Sequence, residues 1–192
     1  MPRSDEPQKQ KGFSMIASTQ ARRREHMVTG SPVGPLTLVS EDGSLVGLYM
    51  DRQRYAPAPQ ALGEAADGGS PVLTEAASQL EGYFAGKRTT FELPLTPAGT
   101  PFQRRVWAAL QEIPYGETIS YGQLADRIGK PSAARAVGLA NGKNPIGIIV
   151  PCHRVVGADG SLTGYGGGLE RKEHLLAFER AVKRRGGEAA RG

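Results

Sequence analysis

The sequence predicts an α/β N-terminal domain followed by a mainly helical C-terminal domain that carries a helix-turn-helix. Three observations lead there. Apolar residues alternate on either side of Asp42-Gly43, a helical period runs from Leu73 to Phe84, and beyond residue 100 two capping boxes open successive helices. The 192 residues hold one ordinary domain or a small domain beside a larger one. With 39% hydrophobic and 22% charged residues the composition is that of a soluble globular chain, and no apolar run reaches the roughly 18 residues that a bilayer span requires.

Residues 1–26 mix Gln, Lys, Arg, Ser and Pro without hydrophobic periodicity and include Arg22-Arg23-Arg24, which predicts a disordered basic arm, with Met15 or Met27 as alternative starts. Order is expected from Val28. Leu36, Leu38 and Ser40 alternate with Thr37 and Val39, Asp42-Gly43 supplies the turn, and Leu45 to Tyr49 return, so this stretch reads as a β-hairpin. Residues 51–72, rich in Pro, Ala and Gly, read as a loop. Leu73, Ala76, Leu80 and Phe84 then fall on one helical face that stops at Gly86, and Thr89 to Leu95 read as a short strand. These residues make up an N-terminal domain over 27–97. A boundary in the TPAGT segment separates it from a C-terminal domain over 98–180, and 181–192 form a basic tail.

In the second half, Thr100, Pro101 and Gln103 combine a cap, a proline at the first helical position and a capping-box glutamine, with Phe102, Val106, Ala109, Leu110 and Ile113 on one face. Ser120 and Gln123 form a second capping box. It opens a short helix that buries Leu124 and Ile128 and ends at Gly129, and Lys130-Pro131 turn the chain into a third helix starting at Ser132. Two short helices joined by such a turn form a helix-turn-helix pattern. The third helix offers Ala133, Ala134, Ala136, Gly138 and Ala140, with Arg135 its one long polar side chain before Asn141. A helix this smooth suits a minor groove with Arg135 projecting, or packing against other helices. Trp107 reads as core, with Phe102 and Leu110.

The formal charge of +5 is unevenly spread. Residues 1–25 carry six basic against three acidic side chains and residues 180–192 five against one, whereas 26–100 carry four against eight and 101–179 nine against seven. A nucleic-acid partner would therefore meet the second half and the ends, and solubilising tails explain the same numbers. The N-terminus is polar where a secretory signal needs an apolar stretch. A single cysteine, Cys152, excludes an intrachain disulfide, and histidines at 26, 153 and 174 make no structural zinc cluster, so a reduced, cytoplasmic setting is expected.

The chemistry concentrates at Ile146 to Val156. An apolar strand-like run, Ile146 and Ile148 to Val150, is broken by Pro151, and Cys152-His153-Arg154 follow before Val155-Val156. A lone cysteine is ordinarily inert packing. Here the proline places it at a bend, and His153 and Arg154 supply positive potential expected to lower the thiol pKa, so Cys152 is a candidate nucleophile. Adjacent residues of an extended segment face opposite ways, so His153 is expected to reach the sulfur through the bend or through a bridging water.

Pro151-Cys152-His153-Arg154-Val155 resembles the active-site signature of the methylated-DNA-protein-cysteine methyltransferases, the alkylguanine-DNA alkyltransferase family of direct repair proteins. Residues 100–179 as a whole resemble the family's C-terminal domain, and SPVGPLTLVSEDGSLVGLYM resembles its N-terminal domain more loosely. The resemblance implies a winged helix-turn-helix and a single-turnover transfer, without cofactor or metal, from the position-6 oxygen of guanine to Cys152. It implies that His153 acts through a water as base, that Glu179 at the end of the KEHLLAFE helix orients it, and that the Tyr121 hydroxyl hydrogen-bonds the base. Arg135 would fill the gap left by a base flipped through the minor groove, with Ser132 and Ala134 beside it. Asn144 would be a hinge tying the recognition helix to the active-site strand, and Val155, Tyr165 and Gly166 would meet the base, with an amide near Gly166 bonding the guanine oxygen and the side-chain contact of relatives that place serine there absent. The implied partner is double-stranded DNA containing alkylated guanine, met by a monomer with no membrane association. Two alternatives stay open: a lesion sensor or DNA-binding regulator that transfers nothing, and a cysteine hydrolase, for which no oxyanion hole or release route is specified.

Overall fold

The computed structural model describes residues 23–66 and 70–189. The expected arm lies outside these over 1–22, but its last residues do not behave as an arm: the first strand, β1, spans Arg24–Thr29 and pairs antiparallel with β2, Leu36–Glu41. Arg24 lies across from Glu41 in that register, and their side chains meet at 3.2 Å. β2 turns through Asp42 (φ +49°) and Gly43 (φ +79°) into β3, Ser44–Met50. Two successive residues with positive φ are what a two-residue hairpin of matching twist demands, so the Asp-Gly signal is met. A two-residue strand β4, Glu64–Ala65, joins β1 in parallel, giving the order β3-β2-β1-β4. The stretch expected to be all loop thus holds this strand and a 3-10 turn at Pro59–Ala61.

Helix α1, Pro71–Phe84, buries Leu73, Ala76 and Leu80 fully or almost fully and stops at Gly86 (φ +70°), while Phe84, expected on the same face, is only partly buried and packs edge-on against the fully buried Tyr83. Residues 89–95 do not form the expected strand. Pro94 has no N–H to give a ladder, and only one bridge forms, Leu45 to Leu95, with Leu45 N–H on the Pro94 carbonyl at 2.8 Å and Thr96 N–H on the Leu45 carbonyl at 3.0 Å. Further along the same edge, Leu48 N–H reaches the Pro145 carbonyl at 2.8 Å. The otherwise free edge of β3 is thus covered by the two segments that lead into the second half and into Cys152.

Both capping boxes are formed. Thr100 and Gln103 cap α2, Pro101–Gln111, and Ser120 and Gln123 cap α3, Tyr121–Arg127, which Gly129 (φ +67°) terminates. The third helix starts later than Ser132: Pro131–Ala133 form a 3-10 turn, and α4 runs Ala134–Gly142 with Ala133 as a cap that has no side-chain oxygen. The run Ile146 to Val150 is not a strand. Pro145 precedes it, Ile148 sits at φ +67°, and Val150 N–H returns to the Ile146 carbonyl at 3.0 Å, so the chain is wound into turns. A β-branched residue in that region costs of order 1–3 kcal/mol and persists because Ile146, Ile148 and Val150 are all buried. Cys152–Arg154 is a 3-10 turn, followed by β6, Val155–Val156, which pairs in parallel with β5, Ile119–Ser120. The last helix, α5, spans Leu169–Ala189. It runs well past Glu179, so the expected basic tail is helical through residue 189.

One continuous core joins the halves, from Leu36, Leu38 and Tyr83 through Val106, Trp107 and Leu110 to Ile146, Val155 and Leu175. Trp107 is core as expected, and its indole N–H also donates to the Ala140 carbonyl at 2.9 Å, tying α2 to α4. Trp107→Phe should cost about 1–3 kcal/mol, from one lost buried hydrogen bond and part of a ring. An unchanged urea midpoint would show that this tie does not hold α4.

Candidate active site

Cys152 lies at the start of its 3-10 turn, 5% exposed, beneath the loop 164–168 and against the C-terminal end of α4. A helical turn, rather than an extended segment, sends its side chain and that of His153 in different directions. Asn144 Nδ2 donates to Cys152 Sγ at 3.0 Å and to the Val150 carbonyl at 2.8 Å, while Asn144 Oδ1 accepts from Ile146 N–H at 3.0 Å. Asn144 thus links the end of α4 to turns, where a strand was expected, and it also touches the sulfur. Asn141, one helical turn back and 1% exposed, donates to the Cys152 carbonyl at 3.3 Å.

The expectation of a lowered thiol pKa fails. Burial pushes the Cys152 thiol up, and the Asn144 amide, the Lys172 charge and the backbone N–H groups of Cys152 and His153 pull it only part of the way back. Arg154 does not serve the sulfur. Its guanidinium is committed to Glu179, with Nε on Oε2 and Nη2 on Oε1, both at 2.9 Å, and to the Ile113 carbonyl at 2.6 Å. The positive charge that bears on the thiol is Lys172, fully buried, which donates to the Val155 carbonyl at 2.5 Å and the Thr163 carbonyl at 2.6 Å. Burial lowers the Lys172 ammonium to about 8, against the pull of Cys152. Lys172 and Asn141 went unrecognised as site residues in the sequence, where each reads as an ordinary helix position.

His153 and Glu179 meet as expected: His153 Nε2 lies 2.9 Å from Glu179 Oε1, and both side chains are fully buried. An ionised carboxylate only accepts, so Nε2 carries the proton and Nδ1 holds the lone pair. Nδ1 is buried without a hydrogen-bond partner in the protein, which leaves it the atom free to take a proton. Burial lowers the His153 pKa, against the raising effect of Glu179. Glu179 also accepts from Tyr83 Oη at 2.8 Å and from the Gly116 backbone N–H at 2.9 Å. Burial alone would push its carboxyl up, but the hydrogen bonds and charges of His153 and Arg154 hold it at about 2.

The base-facing residues are less uniform. The Tyr121 hydroxyl donates to the Thr163 carbonyl at 2.9 Å, on the same oxygen that Lys172 holds. Tyr165 is partly buried, its hydroxyl 3.9 Å from Met50 Sδ, and with Gln53, Gly142, Gly147, Gly166 and Gly167 it closes the space around Cys152. A Cβ on Gly166 would stand 3.2 Å from the Gly142 carbonyl oxygen, so glycine there lets the loop lie against α4. The Gly166 carbonyl accepts from Arg54 N–H at 2.9 Å, latching the loop to the first half. Val155, expected to meet the base, is not among the residues around this space: its side chain is fully buried in the core, its N–H returns to the Cys152 carbonyl and its carbonyl accepts from Lys172. Arg135, Ser132 and Ala136 are exposed and Ala134 partly so, on and beside α4, with Leu139 61% exposed one turn from Arg135. Gly138 of α4 faces the Tyr121 ring, where a Cβ would meet it at 3.6 Å. Among the described residues no group of His, Cys, Asp and Glu has the makings of a metal site, and no helix is long and apolar enough to cross a membrane.

Comparison with known proteins gives a consistent result. Residues 101–181 match the family model described as 6-O-methylguanine DNA methyltransferase, DNA binding domain, and residues 26–97 match its ribonuclease-like domain. A methylated-DNA-protein-cysteine methyltransferase of Mycolicibacterium paratuberculosis is 55% identical over 156 residues, 81% of this chain and 92% of that one. One from Methanosarcina acetivorans is 50% identical over 150 residues, 78% and 94% of the two chains. The crystal structure of Mycobacterium tuberculosis O6-methylguanine methyltransferase superposes with a TM-score of 0.75 at 53% identity, covering 83% of this chain and 94% of that one. The structure of that organism's OGT in complex with DNA gives 0.75 at 52%, over 82% and 94%.

The Glu179 carboxyl titrates near 4.5 when free and near 2 here, so its stabilisation is complete above about pH 4.5 and is lost as the pH falls to about 2. That shift is worth about 3 kcal/mol. Glu179→Gln should lose stability of this order at pH 7 and should flatten the acid limb of the pH-stability curve between those values. A variant with the wild-type acid limb would mean that other carboxylates set it.

Proposed function

The chain belongs to the methylated-DNA-protein-cysteine methyltransferase family, and on that premise we propose the way its residues carry out direct reversal of alkylated guanine in DNA. The alkyl group, methyl in the simplest case, passes from the position-6 oxygen of guanine to Cys152 and stays there, so each chain acts once. The observation that carries this reading is the chain's one thiol, held by Asn144 and followed directly by a histidine whose outer nitrogen is locked on Glu179.

The resting pair is a neutral thiol and a neutral imidazole, because burial raises the first and lowers the second. The Cys152 proton passes to His153 Nδ1 through a water, and the imidazolium that forms is held by the Glu179 carboxylate on its other side. Sulfur then attacks the alkyl carbon, the carbon-oxygen bond breaks, and its electron pair goes to the guanine. A proton or hydrogen bond on the base makes that a better leaving group. The Tyr121 hydroxyl serves here, exchanging the Thr163 carbonyl for the base, while Lys172 keeps that carbonyl satisfied. The Asn144 amide and the Lys172 charge stabilise the sulfur as it ionises.

DNA is the partner, and the target is an alkylated guanine within it. A stacked base cannot reach a thiol that is 5% exposed, so the nucleotide must leave the helix and displace the loop 164–168. The smooth face of α4 would enter the minor groove, Arg135 would occupy the vacated stack, and Ser132 and Ala134 would lie along the backbone. Tyr165 and the Gly166 amide would close over the base, and Asn144 would link α4 to the thiol. A monomer suffices, since every residue invoked lies on one chain. The division into domains at 27–97 and 98–180, flanked by basic ends, belongs to the same proposal.

Cys152→Ala should abolish transfer from a methylated duplex oligonucleotide and leave duplex affinity close to wild type, because phosphate contacts supply most of the binding. Intact-mass measurement decides the class: one stable adduct per wild-type chain supports the proposal, no adduct on a bound duplex supports a sensor, and repeated turnover supports a hydrolase.

Arg135→Ala should slow transfer from a duplex by one or more orders of magnitude, at about 1.4 kcal/mol per tenfold, and leave reaction with the free base nearly unchanged. If the variant instead recovers its rate at saturating duplex and reduces the salt slope by about one, Arg135 is a phosphate contact. Equal slowing on both substrates would make it a structural residue of α4.

A further inference from the structure

Tyr83 belongs to α1, in the half of the chain that lacks the thiol, and lies 96 residues from Glu179 in sequence. It is fully buried, and its ring is enclosed by Phe84, Phe91, Tyr115 and Phe178, with centroids 5.0 to 6.1 Å apart across the cluster. A ring so packed has one direction in which to send its hydroxyl, and that direction ends on Glu179 Oε1 at 2.8 Å. The same oxygen receives His153 Nε2 at 2.9 Å. The phenol and the imidazole thus compete for one charge centre. Any carbonyl would satisfy a buried hydroxyl, but this one is satisfied by the carboxylate that sets the tautomer of the proposed base.

We infer that Tyr83 is a positioning residue for the transfer: its hydroxyl fixes Oε1 beneath His153 and moderates how strongly the carboxylate draws the imidazole N–H. The α/β half is then part of the reactive centre as well as its support. The inference rests on the role given above to Cys152 and His153. The groups facing the His153-Glu179 pair are Tyr83 from α1, Tyr115 and the Gly116 N–H from the turn after α2, Arg154 from the 3-10 turn, Tyr165 from the loop 164–168, and Lys172 from α5. Among them Tyr83 is the neutral side-chain donor on the shared oxygen.

The sign of the effect follows. Without the phenol donor, the carboxylate is a stronger partner for the imidazolium, the His153 pKa rises, and the ascending limb of the rate profile moves to higher pH, since His153 must be unprotonated to accept the thiol proton. A more acidic phenol of the same shape moves the limb the other way.

The test uses the full chain and a duplex oligonucleotide carrying O6-methylguanine. Single-turnover transfer is measured at saturating duplex from mildly acidic to alkaline pH for wild type, for Tyr83→Phe, and for 3,5-difluorotyrosine at position 83, which keeps the volume and the donor. The expected result for Tyr83→Phe is a limb moved to higher pH, a plateau rate about tenfold lower and unchanged duplex affinity; the fluorinated variant should move the limb to lower pH. A limb unmoved in both variants overturns the inference, whether or not rate and thermal stability fall together, since that is what a merely structural phenol would give. Peptide mapping of the same samples separates the role of Tyr83 from that of Cys152. Alkyl on Cys152 with unmoved limbs rejects the role of Tyr83 alone, and alkyl on any other residue rejects the reading of the site on which it rests.

Discussion

A carboxylate buried away from water must have its oxygens occupied by donors, and Glu179 meets that demand with groups from three other stretches of chain. Tyr83 comes from α1, Gly116 from the turn after α2, and His153 and Arg154 from the turn that holds the thiol, all converging on α5. Losing one donor from such a cluster costs far more than an exposed pair is worth, because the remaining charge stays desolvated. The arrangement therefore does two jobs at once. It staples the two halves together through their shared core, and it fixes the orientation and tautomer of the histidine beside Cys152.

Around that anchor the site is kept neutral at rest. Burial raises the thiol and lowers the imidazole, so neither ionises until a proton moves between them. A thiol held in this form is less exposed to oxidation than a resident thiolate, which suits a residue with no resolving partner in the chain. Lys172 and Asn144 are placed to favour sulfur ionisation when it occurs. Lys172 also connects the thiol to the loop that carries Thr163 and to Tyr121, so the groups addressed to the sulfur and to the base share one buried ammonium.

Much of this was legible in the sequence. The Asp42-Gly43 hairpin, the two capping boxes and the glycine stops after α1 and α3 all rest on local backbone rules, and each appears where its residues stand. Local rules failed where tertiary contacts decided. Ile146 to Val150 has strand composition, but Pro145 and the left-handed Ile148 wind it into turns against β3. Arg24 looked like part of a tail until Glu41 lay across from it. At the site, the Cys-His-Arg run was legible in its own residues and the distant Glu179 through resemblance, whereas Tyr83, Lys172 and Asn141 were not, since nothing in a helical period marks the one position whose side chain turns toward a partner far away in sequence. The thiol pKa departs from the sequence expectation for the same reason: adjacent charges suggest a lowered value, but burial raises it and Arg154 is committed to Glu179.

The central claim is that Glu179 holds His153 with the proton on Nε2 and the lone pair on Nδ1. Nitrogen-15 NMR of the imidazole in the unmodified protein tests it directly, because protonated and unprotonated ring nitrogens resonate far apart. The account predicts one protonated nitrogen, assigned to Nε2, and an unprotonated Nδ1 at neutral pH, a pattern lost in Glu179→Gln. A proton on Nδ1, or an imidazolium at neutral pH, would contradict it.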